Sequence, residues 1–316
     1  MVLAATVLAA TVLAATVSVA AGVWENANAS VDASASVDAR VSVVASTVPG
    51  MKYGFVVPFP DARRFTEVAA LAERHGWDGV FTWEALFGED AWVVLGAAAM
   101  VTERIRLGTL LTPVARHRPW DLASSVGTVD RLSGGRAIVG AGLGALHDGW
   151  TAFEADEGRR VRAEKLDEGL AVYAGLMRGQ PFAFEGKHFS ARPTDFMLPP
   201  PPVQQPHPPV WVVGAYVPGR ERQPSLERAA RWNGLLPSIA DRSRPEGAPP
   251  YTLESFADLV RRVRALREAA GLPWEGYDVV VEADSSGQFV QLEGTPGDWA
   301  QAGGTWWVES WWSLQP

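Results

Sequence analysis

The chain has 316 residues, 47% of them hydrophobic, a formal net charge of -8 and no cysteine. That composition allows a large core and excludes disulfides, thiolate catalysis and cysteine-based metal sites. Without a Lys/Arg run to form a basic stripe, nucleic acid is not an expected partner, and five scattered histidines with no His-x-x-x-His pair give no metal site.

Residues 1–50 differ from everything after them. VLAAT repeats three times between Val2 and Thr16, and no charge precedes Glu25. The apolar length would suit a span or a signal peptide, but a secretory signal carries Lys or Arg before its apolar core and this segment has none. Ala27-Asn28-Ala29 does fit a small-residue cleavage site, so export stays open beside the plainer expectation of a low-complexity, disordered extension or a start assigned too far upstream. A domain of residues 51–316 and a cytoplasmic location without membrane attachment follow from that reading.

From Met51 onward, short apolar runs alternate with helix-period segments. Lys52 to Val57 reads as a first strand, and Ala62 to His75 as an amphipathic helix closed by Gly76. Gly79 to Trp83 is a second strand and Ala91 to Thr102 an alanine-rich helix. Ile105 to Leu111 is a third strand. Pro119 opens a helix whose apolar face is Leu122, Val126, Val129 and Leu132, and Gly134-Gly135 ends it. Ala137 to Val139 is a fourth strand, followed by a turn with glycine at alternate positions, Gly140, Gly142 and Gly144.

Gly149 to Arg162 reads as an excursion over the mouth, before a helix from Ala163 to Arg178. Phe182 to Phe189 reads as a hairpin turning at Glu185-Gly186-Lys187, and prolines between 199 and 209 form a stiff connector. Val210 to Val213 is a fifth strand ending at Gly214, Ser225 to Trp232 a short helix, and Gly234 to Pro237 a sixth strand. Leu253 to Ala270 is a regular amphipathic helix capped by Thr252. Tyr277 to Glu282 is a seventh strand, Trp299 to Ala302 the end of a helix, and Thr305 to Trp311 an eighth strand. Eight strands with helices between them, over a length close to the roughly 250 residues such folds use, predict an α/β class TIM-type (β/α)8 parallel barrel. A closing helix after the eighth strand is not evident, so either the C-terminus is truncated, or the extension or a partner subunit covers that face, and a homo-oligomer stays open.

Active sites of such barrels lie at the C-terminal ends of the strands. Those ends are mostly apolar here, an inventory poor for hydrolysis and suited to a cofactor that brings its own reactivity. Bare backbone at Gly140, Gly142, Gly144 and at Gly214-Ala215 would suit a phosphate, and close packing would equally require it. Arg116 is either a phosphate contact or a solvated loop arginine. Glu84 and Glu309 are carboxylates at the ends of strands two and eight, as candidate catalytic groups or as structural partners.

The segments RLGTLLTP, RHRPWDLA, DRLSGGR and GAGLG, and later PPVWVVGAY, ERAARWNGLLP and GGTWWVES, resemble the bacterial-luciferase-like monooxygenase family from about Met51 onward. The resemblance implies a TIM barrel and a flavin-dependent oxidoreductase. It points to a monooxygenase on paired donors, using reduced FMN from a separate flavin reductase, molecular oxygen and a small organic substrate. The alternatives are hydride transfer with the 8-hydroxy-5-deazaflavin coenzyme, or a barrel that has lost catalysis. It also implies a non-proline cis peptide against the ring at Leu110-Leu111-Thr112, which makes Leu111 and Thr112 cofactor contacts, and phosphate near the two glycine positions. Where deazaflavin relatives often carry Asp-His, this chain has Glu84-Ala85, which tilts the expectation toward FMN.

Overall fold

The computed structural model describes residues 48–58, 61–146, 148–239, 251–283 and 292–310. Eight parallel strands close on themselves. They are β1 (Lys52–Val57), β2 (Gly79–Thr82), β3 (Arg106–Thr109), β4 (Ala137–Gly142), β5 (Val210–Tyr216), β6 (Gly234–Ile239), β7 (Asp278–Ala283) and β8 (Trp306–Glu309). Each pairs with its neighbours in sequence. β8 returns to β1 in the register Lys52↔Trp306, and β3 meets β4 at Leu107↔Ala137. The predicted barrel is the observed fold.

Among the described residues, seven helices of six residues or more fill the intervals: α1 (Ala62–Arg74), α2 (Ala91–Ala99), α3 (Pro119–Leu132), α4 (Arg159–Arg178), α5 (Pro224–Ala229), α6 (Leu253–Ala269) and α7 (Pro296–Gln301). Their starts follow local chemistry. The Asp61 and Asp90 carboxylates accept from first-turn N–H groups of α1 and α2. Thr252 forms a capping box with Ser255, and Thr295 forms one with Asp298, which fixes the start of α7 that periodicity alone leaves unplaced.

The barrel interior is filled by rings set against glycines. Phe81, Trp211 and Trp306 point inward with centroids 5.1 to 5.9 Å apart. A Cβ on Gly54 would lie 2.9 Å from the Phe81 ring, one on Gly79 would lie 2.9 Å from both Phe81 and Trp306, and one on Gly234 would strike Trp211. The small residues are therefore what admit three large ones to a narrow barrel. Below them Asp278 accepts from the indole N–H of Trp211 at 3.1 Å and of Trp306 at 3.0 Å, with the Lys52 ammonium 3.3 Å away. That end is a packed floor, opposite the C-terminal strand ends.

The elements depart from expectation in several places. Gly140 and Gly142 are strand residues within β4, and of the three glycines only Gly144 takes a positive φ, 75°. β5 runs three residues past Val213, so Gly214-Ala215 is strand as well. α4 starts at Arg159, inside the expected excursion, whose remaining helix is one turn at Asp148–Thr151. The hairpin pairs Phe184–Glu185 with Ser190–Ala191 and turns through Gly186 to Phe189. Leu132 is 46% exposed, and the inner face of α3 carries Asp130 instead. That buried carboxylate accepts from the Val203 and Gln204 backbone and the Gln204 side chain, pinning the proline connector. The readings of residues 1–47, and of the residues after Ser310, lie outside the described residues.

Candidate active site

The C-terminal strand ends stand above a buried apolar layer of Val56, Leu110, Leu236, Val280 and Val308, with Val213 packed against it. Between β3 and the short strand piece Thr112–Pro113, which also pairs with β4, lies the Leu110–Leu111 peptide, which is cis. Leu111 presents its carbonyl to the Glu84 N–H at 3.3 Å and its side chain toward Gly142. Thr112 is fully buried, and its hydroxyl donates to the Thr109 hydroxyl at 2.9 Å, so its side chain is committed to the strand.

At the rim, Glu84 follows β2 and His117 lies in the loop after β3. Glu84 Oε2 and His117 Nε2 are 3.2 Å apart, with side chains 11% and 27% exposed. The sequence offers both residues but nothing that pairs them, since they belong to different β/α units. Barrel closure brings them together. A carboxylate beside an imidazole is an arrangement that can pass a proton.

Arg116, beside His117, is half-buried. It lies 5.2 Å from the Trp150 ring centroid, 3.7 Å from the Glu154 carboxylate and 3.4 Å from the Leu86 carbonyl. Burial lowers its pKa from the ordinary arginine value, and the nearby Glu154 and Glu84 charges work against that. Arg116 is not a solvated loop residue: it ties the loops after β2, β3 and β4 together.

The glycines divide by role. A Cβ on Gly140 would overlap the Thr109 carbonyl oxygen, and one on Gly144 would overlap the Trp150 ring, so both are demanded by packing. Gly142 faces the mouth, where a Cβ would lie 2.8 Å from Leu111 and 3.1 Å from Val213. On β5, Gly214 faces outward onto Leu235 and Leu226, and the Ala215 N–H donates to the Ser225 hydroxyl at 2.9 Å. These two residues are therefore not a bare turn. The turn comes later: Gly219 has φ 74°, Gln223 donates to the Val217 and Arg220 carbonyls, and Arg220 and Arg222 are exposed beside it. Sequence reasoning passes over these arginines, although Pro218-Gly219 marks the turn.

Of the two roles open to Glu309, its contact to Trp307 is the structural one. Trp306 and Val308 point into the barrel, so Trp307 and Glu309 point out of it, and the Trp307 indole donates to Glu309 at 2.8 Å. A catalytic part at the mouth does not suit that orientation. Among the described residues no group of His, Asp and Glu could hold a metal, and no helix is long and apolar enough to cross a membrane.

The sequence profile of the family described as luciferase-like monooxygenase matches residues 39–232. Among solved structures, the chain is similar to the monooxygenase RslO1 from Streptomyces bottropensis, with 27% identity and a TM-score of 0.60, over 74% of this chain and 71% of that one. It is also similar in fold to the coenzyme F420 dependent tetrahydromethanopterin reductase from Methanopyrus kandleri, at 21% identity and TM-score 0.58, over 74% and 66% of the two chains. The oxygenating constituent of 3,6-diketocamphane monooxygenase from Pseudomonas putida, solved with FMN, matches at 18% identity and TM-score 0.58, over 74% and 67%.

Proposed function

The chain belongs to the luciferase-like monooxygenase family, and from that premise we propose that it is an FMN-dependent monooxygenase acting on a small organic substrate. Family membership makes it a flavin-dependent oxidoreductase in kind; the choice of FMN, oxygen and a separate flavin reductase is the finer reading. The observation that carries it is the mouth itself. A buried apolar layer underlies the strand ends, and the ionisable groups at the rim include one carboxylate–imidazole pair and Arg116. Such a layer gives a tricyclic ring a dry seat and suits a cofactor that brings its own reactivity. The 27% identical relative named as a monooxygenase supports the same choice.

The residues fit FMN. The ring would rest against Leu110, Leu111 and Val213, with Gly142 leaving the backbone bare beside it. The phosphate would fall to the Gly219 turn with Arg220 and Arg222, replacing the Gly140, Gly144 and Gly214-Ala215 positions that packing and hydrogen bonds claim. When bound, the flavin supplies the redox chemistry with oxygen. The protein's own part is to exclude water with the apolar layer and to hold a proton on the His117–Glu84 pair at the rim. Reduced flavin supplied by a reductase suits a cytoplasmic site of action.

A second reading, hydride transfer with the deazaflavin coenzyme, has one observation in its favour: His117 restores the imidazole that Glu84-Ala85 lacks. Equilibrium titration of one preparation with both cofactors, followed by oxygen uptake with a flavin reductase, separates the two. FMN should bind below roughly 10 μM; binding of the deazaflavin alone in that range reverses the assignment.

A further inference from the structure

Beside the mouth, between the loop after β3 and the start of α4, lies a cleft of ≈ 400 Å³ that the flavin seat and its phosphate turn do not use. Arg116, His117 and Arg118 line it from one side, and Trp150, Arg162 and Lys165 from the other. Three carboxylates share it, and each has a partner. Asp156 is hydrogen-bonded to Arg162, Glu157 lies 2.5 Å from Lys165, and Glu154 lies 3.7 Å from Arg116. Four permanent cations against three acids leave a local positive excess in a chain whose net charge is -8.

Arg162 sets this cleft apart from an ordinary patch of surface charge. Its side chain is 9% exposed, yet its Nε–H has no hydrogen-bond partner among the described residues. A buried donor left unmade is costly, and guanidinium presents its Nε and Nη hydrogens as a fork matched to a carboxylate. Arg162 and Arg116 both lie against the same indole, 5.9 and 5.2 Å from the Trp150 centroid, which holds the two cations in fixed relation. The Glu154 contact to Arg116 is long and Glu154 is 46% exposed, so an incoming anion can displace it. His117 lines the cleft while its Nε2 reaches Glu84, so cleft and mouth share a wall.

We infer that this cleft binds the carboxylate of the substrate, so that the enzyme acts on an organic acid whose anionic end lies between Arg162 and Arg116 while its reacting carbon reaches the mouth past His117. This rests on the oxidoreductase reading for the identity of the reacting end. The anion site itself does not depend on which cofactor is used.

The test uses the full chain saturated with FMN, titrated by calorimetry at low ionic strength with glutarate and with its uncharged diamide. Glutarate should bind about tenfold more tightly than the diamide, and Arg162→Gln should remove that preference without changing FMN affinity. Lys165→Gln, at a partly exposed position, should weaken glutarate in the same direction and serves if the Arg162 variant does not fold. Equal binding of acid and diamide, or glutarate binding untouched by both variants, overturns the inference. So does competition between glutarate and FMN, or between glutarate and the deazaflavin, because the cleft would then belong to the cofactor. If neither cofactor binds, the oxidoreductase reading fails separately, and glutarate titration of the same protein without cofactor still tests the cleft.

Discussion

The proposed proton-handling pair at the rim sets the first test at the residue scale. Glu84 and His117 face each other at 3.2 Å from two different β/α units, with side chains 11% and 27% exposed. Glu84→Gln keeps the shape and removes the charge that orients the imidazole, so turnover should fall about 100-fold while FMN affinity stays within about twofold. Steady-state kinetics and a flavin titration measure the two quantities; unchanged turnover would make the pair a structural tie. The glycines give a second contrast at this scale. Gly140→Ala pushes a methyl into the Thr109 carbonyl and should cost about 3 kcal/mol of stability, read from denaturant unfolding. Gly142→Ala meets only the ends of Leu111 and Val213 and should fold, with its loss concentrated in flavin affinity. Equal effects of both substitutions on stability, with flavin affinity intact, would return Gly142 to a packing role. The sequence shows three glycines at alternate positions, but not that two of them sit where neighbouring chain atoms leave no room, because those atoms belong to β3 and to the one-turn helix after β4.

At the scale of elements, much of the barrel can be read from periodicity and end signals. Apolar runs bounded by glycine or proline mark the strands, and Asp61, Pro119 and Thr252 mark helix starts. What stays hidden is the use of polar residues inside the packing. Asp130 and Arg136 lie in the DRLSGGR segment, which reads as a family landmark, and both work as clamps. Arg136 donates to the Ile105 carbonyl at 2.8 Å and to the Ala99 and Thr102 carbonyls, so it joins the end of α2 to β3. Glu73, at the end of α1, holds the same corner by accepting the N–H groups of Glu103, Arg104 and Ile105. Burial pushes the Glu73 carboxyl up, but the three backbone donors outweigh it and hold the pKa below its ordinary 4.5. A carboxyl lowered on folding stabilises at pH values above its unfolded pKa and loses that effect as pH falls through the folded one. Glu73→Gln should therefore cost about 1–3 kcal/mol near neutral pH, with the gap to wild type narrowing below pH 4.5. A gap independent of pH would mean that shape, not charge, holds the corner.

For the whole molecule, the first question is where the folded unit begins. The strand signal puts the start at Met51, whereas the structure extends the attachment slightly further back. Met51 N–H donates to the Val48 carbonyl at 3.0 Å, and Val48 N–H donates to the Tyr53 hydroxyl at 3.2 Å. We propose that residues 1–47 are not needed for the barrel, and a chain begun at Val48 should match the full chain in thermal midpoint and flavin affinity. One begun at Met51 should be slightly less stable. A large loss in the Val48 form would mean that the extension covers part of the barrel. The rings on the barrel floor carry an optical consequence. Trp211 on β5 and Trp306 on β8 come from strands three places apart around the barrel, yet their indoles lie 5.1 Å apart at 63°, with both N–H groups held by Asp278. Indoles so close and so fixed couple their electronic transitions, and the chain should show a strong near-ultraviolet circular dichroism band that Trp211→Phe removes. Because that band exists only while the two strands are joined through the interior, it can time barrel closure in refolding separately from the far-ultraviolet signal of the helices.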